Sequence, residues 1–309
     1  MEVWLLPLGL VALVLGGLGW WFWLRSRPVT REPLPSPFAE IAVETTEIDG
    51  FKIRYHRSGR GPPLVALHGI GANLYCWRWI LPKLGLNFEV VAPDLPGFGQ
   101  SSKPKRATYG LDEQTQRLAR FLDRIGVGPC YIVGNSMGGN IALWFAFRYP
   151  ERVKGVAVIA PATSPRLVPP GLRHWSWMAS PVARLLNRSM MDWAHARTVS
   201  KRELVDAARI EETFLTYGRN PEAVRSFILA TETIRDPRLF SALEKIVTPV
   251  LILWGSRDRL VSRGIIDALE AALPKAESEV HIGGGHHLQE DEPEWVDEKL
   301  TSFFLSKLD

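Results

Sequence analysis

The chain has 309 residues, of which 46% are hydrophobic and 23% charged, and its formal charge is +4. That length allows one large α/β domain with an insertion, or two small domains. A charge so mild, with no Lys/Arg block interleaved with aromatics, excludes an extended nucleic-acid surface, and two cysteines are too few for a disulfide framework. Cys76 and Cys130 fall at opposite ends of the expected sheet, so both are expected to be unpaired.

In chain order, Val3 to Leu24 comes first: 22 residues without a charge, long enough as a helix (about 33 Å) to cross a hydrocarbon core of ~30 Å. Trp4 lies at one end and Trp20, Trp21 and Trp23 at the other, where interfacial aromatic belts form. A cleaved signal peptide would carry a basic start and a small-residue cleavage site. This chain has Glu2, and runs from Leu24 straight into Arg25. The expectation is a transmembrane anchor over residues 1–27. Arg25, Arg27 and Arg31 follow it and place the main body on the cytoplasmic side. Pro28, Pro33, Pro35 and Pro37 make residues 28–37 a semi-rigid spacer or a strand-like arm.

From Ile41 the pattern changes to strands. Ile41 to Ile48 and Phe51 to His56 flank Asp49-Gly50, a strong hairpin signal. Short apolar strands are expected at Leu64 to Leu67, Glu89 to Ala92, Cys130 to Val133, Val153 to Ile159, Val250 to Trp254 and Glu279 to Ile282. Helices are expected at Trp77 to Leu84, Leu111 to Ile125, Asn140 to Tyr149, Ile265 to Leu273 and Trp295 to Leu305. Such alternation implies an α/β fold: a mostly parallel sheet with helices on both faces. The core would be 38–160 and 249–309. Residues 161–248 lack strand signals and carry repeated prolines, which reads as a helical cap inserted between two strands. Its first half, Arg166 to Arg202, holds seven Lys/Arg against one acid, Asp192, together with Trp175, Trp177 and Trp193. That composition suits a surface resting on anionic lipid, and equally the underside of a cap.

The chemistry centres on Gly134-Asn135-Ser136-Met137-Gly138, between a buried strand and an apolar helix. A Gly-x-Ser-x-Gly at such a junction lets the backbone turn sharply and project the Ser oxygen, with helix N-terminal amides behind it. A Ser hydroxyl needs a base, and the base needs a group to fix its tautomer. Asp258 follows one buried strand in Trp254-Gly255-Ser256-Arg257-Asp258, and His286 follows the next in Gly283-Gly284-Gly285-His286. Ser136, Asp258 and His286 are the expected catalytic residues.

With Leu67-His68-Gly69, Asp94-Leu95-Pro96-Gly97-Phe98-Gly99-Gln100-Ser101 and the motifs above, the chain from Ile41 to Leu305 resembles the α/β-hydrolase superfamily. The resemblance implies an oxyanion hole from the amides of Ile70 and Met137, and a bracing role for His68. It favours His286 over its neighbour His287 as base, because Pro293 follows His286 by seven residues. It implies neither cofactor nor metal. The tail from His286 to Pro293 is locally similar to haloalkane dehalogenases, but Ser136 stands where those enzymes need a carboxylate. Anchor, spacer, triad and cap together resemble membrane-anchored monoacylglycerol lipases, which implies a serine esterase acting on lipid-like esters. Two alternatives remain. One is a carbon–carbon bond hydrolase of aromatic ring-cleavage products, suggested by Gly-Asn-Ser-Met-Gly-Gly and Asn73 but opposed by Ile70-Gly71-Ala72 and His287. The other is a non-catalytic binding module on the same fold.

Overall fold

Asp49 and Gly50 both adopt positive φ, 49° and 76°, the backbone that reverses a right-twisted strand in two residues. They join β1 (Val43–Ile48) to β2 (Phe51–Ser58) in an antiparallel hairpin, Ile48 opposite Phe51. The structure is a computed structural model that describes residues 42–308. Six further strands follow: β3 (Pro63–Leu67), β4 (Glu89–Pro93), β5 (Cys130–Asn135), β6 (Val153–Ile159), β7 (Val250–Gly255) and β8 (Ala276–His281). They form one eight-stranded sheet in the order β1-β2-β4-β3-β5-β6-β7-β8. Only the β1–β2 and β2–β4 pairings are antiparallel.

Between the strands run helices α1 (Leu81–Leu84), α2 (Leu111–Arg124) and α3 (Met137–Arg148). The cap holds α4 (Ala179–Leu185), α5 (Arg188–Thr198), α6 (Ala207–Tyr217), α7 (Pro221–Ala230), α8 (Glu232–Arg235) and α9 (Pro237–Ala242). Then come α10 (Arg263–Ala272), α11 (Leu288–Asp291) and α12 (Pro293–Leu305). Because strand side chains alternate faces, the sheet builds two cores. Val65, Leu67, Ile132, Val250 and Ile252 pack under α2, α3 and α10. Leu64, Ala66, Tyr131, Val133, Leu251 and Leu253 pack under α1 and α12. Central strands buried on both faces must be apolar throughout, which is why they read as continuous runs.

Three expectations need adjustment. The helix expected over Trp77 to Leu84 is a 3₁₀ turn, Leu74–Trp77, followed by the single turn α1. The Asn73 side chain caps the first by accepting from the Tyr75 amide, and Pro82 has no amide with which to continue a helix from Arg78. The last strand, expected at Glu279 to Ile282, runs Ala276–His281 and pairs with all of β7. As an edge strand it is held by backbone bonds on one side and tolerates Glu277, Ser278 and Glu279, so hydrophobicity understates it. The hairpin begins at Val43, and Ile41 lies outside the described residues. So do the expected anchor (1–27) and spacer (28–37). Among the described residues no helix is long and apolar enough to cross a membrane.

All six loops that matter leave the C-terminal ends of β3 to β8. The chain turns outward in opposite directions from β3 and β5, and at such a reversal α/β sheets leave a crevice above the strands. The helical insertion between β6 and β7 covers that crevice.

Candidate active site

Ser136 follows β5 at φ 54°, ψ −118°, a conformation that costs a non-glycine residue of order 1–3 kcal/mol and persists only where its surroundings enforce it. Here they do. The Ser136 amide donates to the Ile159 carbonyl at 2.9 Å, and α3 starts at the next residue. A Cβ at Gly134 would run into the Gly138 carbonyl, and one at Gly138 into the carbonyls of Leu67 and His68. The two glycines thus let strand and helix touch backbone to backbone. Ser136 does not use its side chain to cap α3.

His286 and Ser136 line one cavity of about 270 Å³. His286 Nδ1 lies 2.8 Å from Asp258 Oδ2, with both side chains buried. The other carboxylate oxygen accepts from the amides of Leu260 (2.7 Å) and Val261 (3.0 Å). With all of these partners in place Asp258 has one orientation. A carboxylate facing Nδ1 keeps the proton there and leaves Nε2 as the lone-pair nitrogen that a proton acceptor requires. Asn135 Nδ2 donates to the carbonyls of Ile159 and His286, each at 3.0 Å. That residue, which sequence reasoning passed over, ties the serine turn to the histidine loop.

The amide of Met137 opens α3 and has no acceptor within the helix. The Ile70 amide is aimed indirectly. His68, fully buried, receives the Leu95 amide on Nε2 at 2.9 Å, so its Nδ1 carries the proton and donates to the Gly69 carbonyl at 2.8 Å. Burial lowers the pKa of His68 and keeps the ring neutral, as that pattern requires. Fixing the Gly69 carbonyl fixes the planar peptide and hence the Ile70 N–H on its opposite side. A Cβ at Gly69 would lie 3.1 Å from Ser136 Cβ, so this peptide passes directly beside the serine. Cys76 and Cys130 are both free and buried. Burial raises their thiol pKa values and keeps the thiols from reacting as thiolates.

His287 is differently occupied. Its Nδ1 sits 2.8 Å from Glu290 Oε1 and 2.6 Å from Arg209 Nη2. Arg209, from the cap, is also 2.7 Å from Glu290, and Arg78 meets the other Glu290 oxygen at 2.5 Å. All four side chains are buried. Burial alone would raise the pKa of Glu290, but Arg209 and Arg78 outweigh it and hold the carboxylate ionised, well below the usual range. The same neighbourhood clamps the cap onto the histidine loop. The His287 amide donates to Thr198 at 2.7 Å, and Asp291 accepts from the amides of Ser200 (2.9 Å) and Gly285 (2.7 Å). No local pattern marks Arg209, whose partners lie some eighty positions further along the chain.

A second cavity, of about 300 Å³, lies under the cap between α4, α5, α6 and α7. It is lined by Val182, Leu186, Met191, Tyr217 and Val224, with His195 and His287 also in its wall. Ile70 and Phe227 belong to both cavities and stand between them.

The family model of the α/β hydrolase fold matches residues 62–293. The chain belongs to that family, and is a hydrolase of the α/β-hydrolase superfamily. A solved structure of a membrane phospholipase A, described as a bacterial virulence factor, is 28% identical, covers 99% of each chain and has a TM-score of 0.72. The 2-hydroxy-6-oxo-6-phenylhexa-2,4-dienoate hydrolase of Burkholderia cepacia is 28% identical over 86% of this chain and 95% of its own. The dihydrolipoyllysine-residue acetyltransferase component of the acetoin cleaving system of Cupriavidus necator is 31% identical over 81% of this chain. This chain spans 66% of that protein's length.

Two outcomes follow from the buried charge cluster. Glu290→Gln keeps the shape but leaves Arg78 and Arg209 without their shared countercharge, and should cost ~3–5 kcal/mol in urea denaturation; a loss under about 1 kcal/mol would show that Asp206 and solvent suffice. Burial, with Arg209 beside it, brings His287 down from 6.5 to about 4 against the pull of Glu290. Between those values the unfolded chain binds the extra proton, so stability is complete above the upper value and is lost as pH falls toward the lower one. The thermal midpoint should decline through that window, less steeply in His287→Asn, and equal slopes would remove His287 from the linkage.

Proposed function

We propose that the protein is a serine hydrolase that cleaves carboxylic esters of lipid-like substrates through an acyl-enzyme on Ser136. The observation that carries the reading is the pairing of His286 Nδ1 with a fully oriented Asp258 in the cavity that also exposes Ser136. In this mechanism His286 Nε2 removes the Ser136 proton as Oγ attacks the ester carbonyl carbon. The amides of Ile70 and Met137 take the charge that develops on the carbonyl oxygen, a contribution of typically ~2.7–4 kcal/mol per donor. Collapse of the tetrahedral adduct breaks the carbon–alkoxy bond, and the imidazolium returns its proton to the leaving alcohol. Water, deprotonated by His286, then attacks the acyl carbon; the bond from that carbon to Ser136 Oγ breaks, the imidazolium returns its proton to Oγ, and the carboxylic acid departs.

The lipid-like preference is supported by the linings. Leu167, Val168, Leu172, Ile234, Leu260 and Val261 surround the serine cavity, and the second cavity is equally apolar. Two apolar chambers meeting at Ile70 suit an ester with an extended apolar chain. The likeness to a membrane phospholipase A points the same way. A carbon–carbon bond hydrolase is the second reading, favoured by the likeness to the dienoate hydrolase. Against it, Asn73 is engaged in capping the Leu74–Trp77 turn and lines neither cavity.

Ser136→Ala should abolish both ester turnover and labelling by a fluorophosphonate probe without changing the circular dichroism spectrum. His286→Ala should be nearly inactive, and His287→Ala, if folded, should keep most of its rate; the reverse order would move the base by one residue. A dienoate ketone hydrolysed faster than every ester in a chain-length series would favour the second reading, and an unlabelled wild type would favour a binding module.

We also propose that residues 1–27 anchor the protein in a membrane with the catalytic domain on the cytoplasmic side. Deleting them should release the protein into the soluble fraction with its rate on short soluble esters intact. Full-length protein stripped from membranes by carbonate washing would overturn the anchor.

A further inference from the structure

The cap segment that roofs both cavities is built with two unlike sides. Inward, Leu172 closes the serine cavity, and Val182 and Leu186 close the second one. Outward, the same stretch leaves Trp175 56%, Trp177 73% and Leu185 68% exposed, with Trp193 at 41% on the following helix. Large apolar side chains scattered singly over a surface need no explanation; four exposed within nineteen consecutive residues are a concentration that does.

The charges on this patch state what it fits. Arg166, Arg173, Arg184 and Arg197 are exposed and form no ion pair among the described residues. Arg197 lies over the Trp193 ring, 4.0 Å from its centroid, in a cation-over-indole arrangement. The stretch's one acid, Asp192, is buried and paired with Arg202 at 2.8 Å, so it cancels none of this charge. Indoles that prefer the headgroup level, in a stretch whose exposed charges are guanidinium groups, match an anionic bilayer surface better than a protein surface of mixed charge. Leu260, which lines the serine cavity, is itself 46% exposed. Leu260 thus belongs both to the cavity wall and to the exposed surface.

We propose that the outer face of the cap, from Leu172 to Arg197, docks on an anionic lipid bilayer, with Trp175, Trp177 and Leu185 in the headgroup region and the arginines on lipid phosphates. The clamp of Arg209 on Glu290 and His287 holds the far half of the cap rigid against the core, so the docked face keeps a set orientation toward the cavities below it. Docking itself stands on the surface alone; entry of a bilayer-dissolved substrate beneath the cap rests on the ester-hydrolase reading.

The test uses full-length protein carrying Trp177→Cys and labelled with a polarity-sensitive dye, which reacts there alone because Cys76 and Cys130 are buried. Lys154→Cys, exposed at the opposite end of the sheet, is the control. In phosphatidylcholine vesicles containing phosphatidylglycerol, the dye at position 177 should shift to the blue and be quenched by spin-labelled lipid, and the dye at 154 should not. Adding Arg173→Glu and Arg184→Glu should lower the docked-to-undocked ratio at least ~25-fold, from about five-fold per charge lost (~1 kcal/mol each). These readings need no substrate, so they stand or fall apart from the ester reading. Trp175→Ala with Trp177→Ala should leave the rate on a soluble short-chain ester unchanged, which reports an intact fold. The proposal is overturned if position 177 stays in water, if it is shielded from water and from lipid quencher alike, or if its response ignores both the vesicle charge and the arginine pair.

Discussion

The close crossing of β5 and α3 is the constraint on which everything else in this molecule depends. Gly134 removes the side chain that would hold β5 and α3 apart, Gly138 the one that would hold α3 off the end of β3, and the residue between them, Ser136, has positive φ. The strain at Ser136 is offset by what surrounds it: the Ile159 carbonyl on its amide, the buried helix behind it and the β3 loop pressed alongside. Because the sheet is apolar on both faces, the turn has no soft side toward which it could relax. Rigidity of this kind suits a nucleophile, whose oxygen must be presented without help from substrate.

Around that turn, polar groups are fixed in chains rather than pairs. His68 holds the Gly69 peptide, which sets the Ile70 amide. Two backbone amides hold Asp258, which sets the His286 tautomer. Asn135 links the serine turn to the His286 carbonyl. Each link is neutral or singly charged and buried, where a satisfied hydrogen bond is strong and an unsatisfied one costly. Adjacent histidines receive opposite assignments by this logic. His286 faces an isolated carboxylate and a cavity, whereas His287 is wedged between a carboxylate and a guanidinium that already neutralise each other.

The buried Arg78–Glu290–Arg209 cluster contributes little net stability compared with an apolar core of the same volume. Its consequence is geometric. A cap held by apolar contacts alone could slide, but one held by a buried guanidinium at a single carboxylate has one seat. The half of the cap that carries Arg209 is thereby made part of the core, while the half before it roofs the cavities, apolar beneath and cationic above.

How much of this was legible in the sequence follows from the range over which each interaction acts. The hairpin at Asp49-Gly50, the two-faced central strands, the serine turn and the strandless insertion are decided by sterics and burial within a few residues, so pattern and spacing reveal them. Asp258 could be picked out because it stands just past the buried strand β7, and His286 because it follows the glycine run after β8; parallel strands bring such positions to one edge. The split of the Trp77 to Leu84 segment and the early start of β8 escape hydrophobic pattern, because a side-chain cap, a missing proline amide and an edge ladder leave little trace in it. Asn135's hold on His286, Arg209's seat on Glu290 and the two cavities meeting at Ile70 were decided only by the tertiary structure. They are contacts between segments far apart in the chain, set by how the sheet, loops and cap pack, and no local periodicity encodes them.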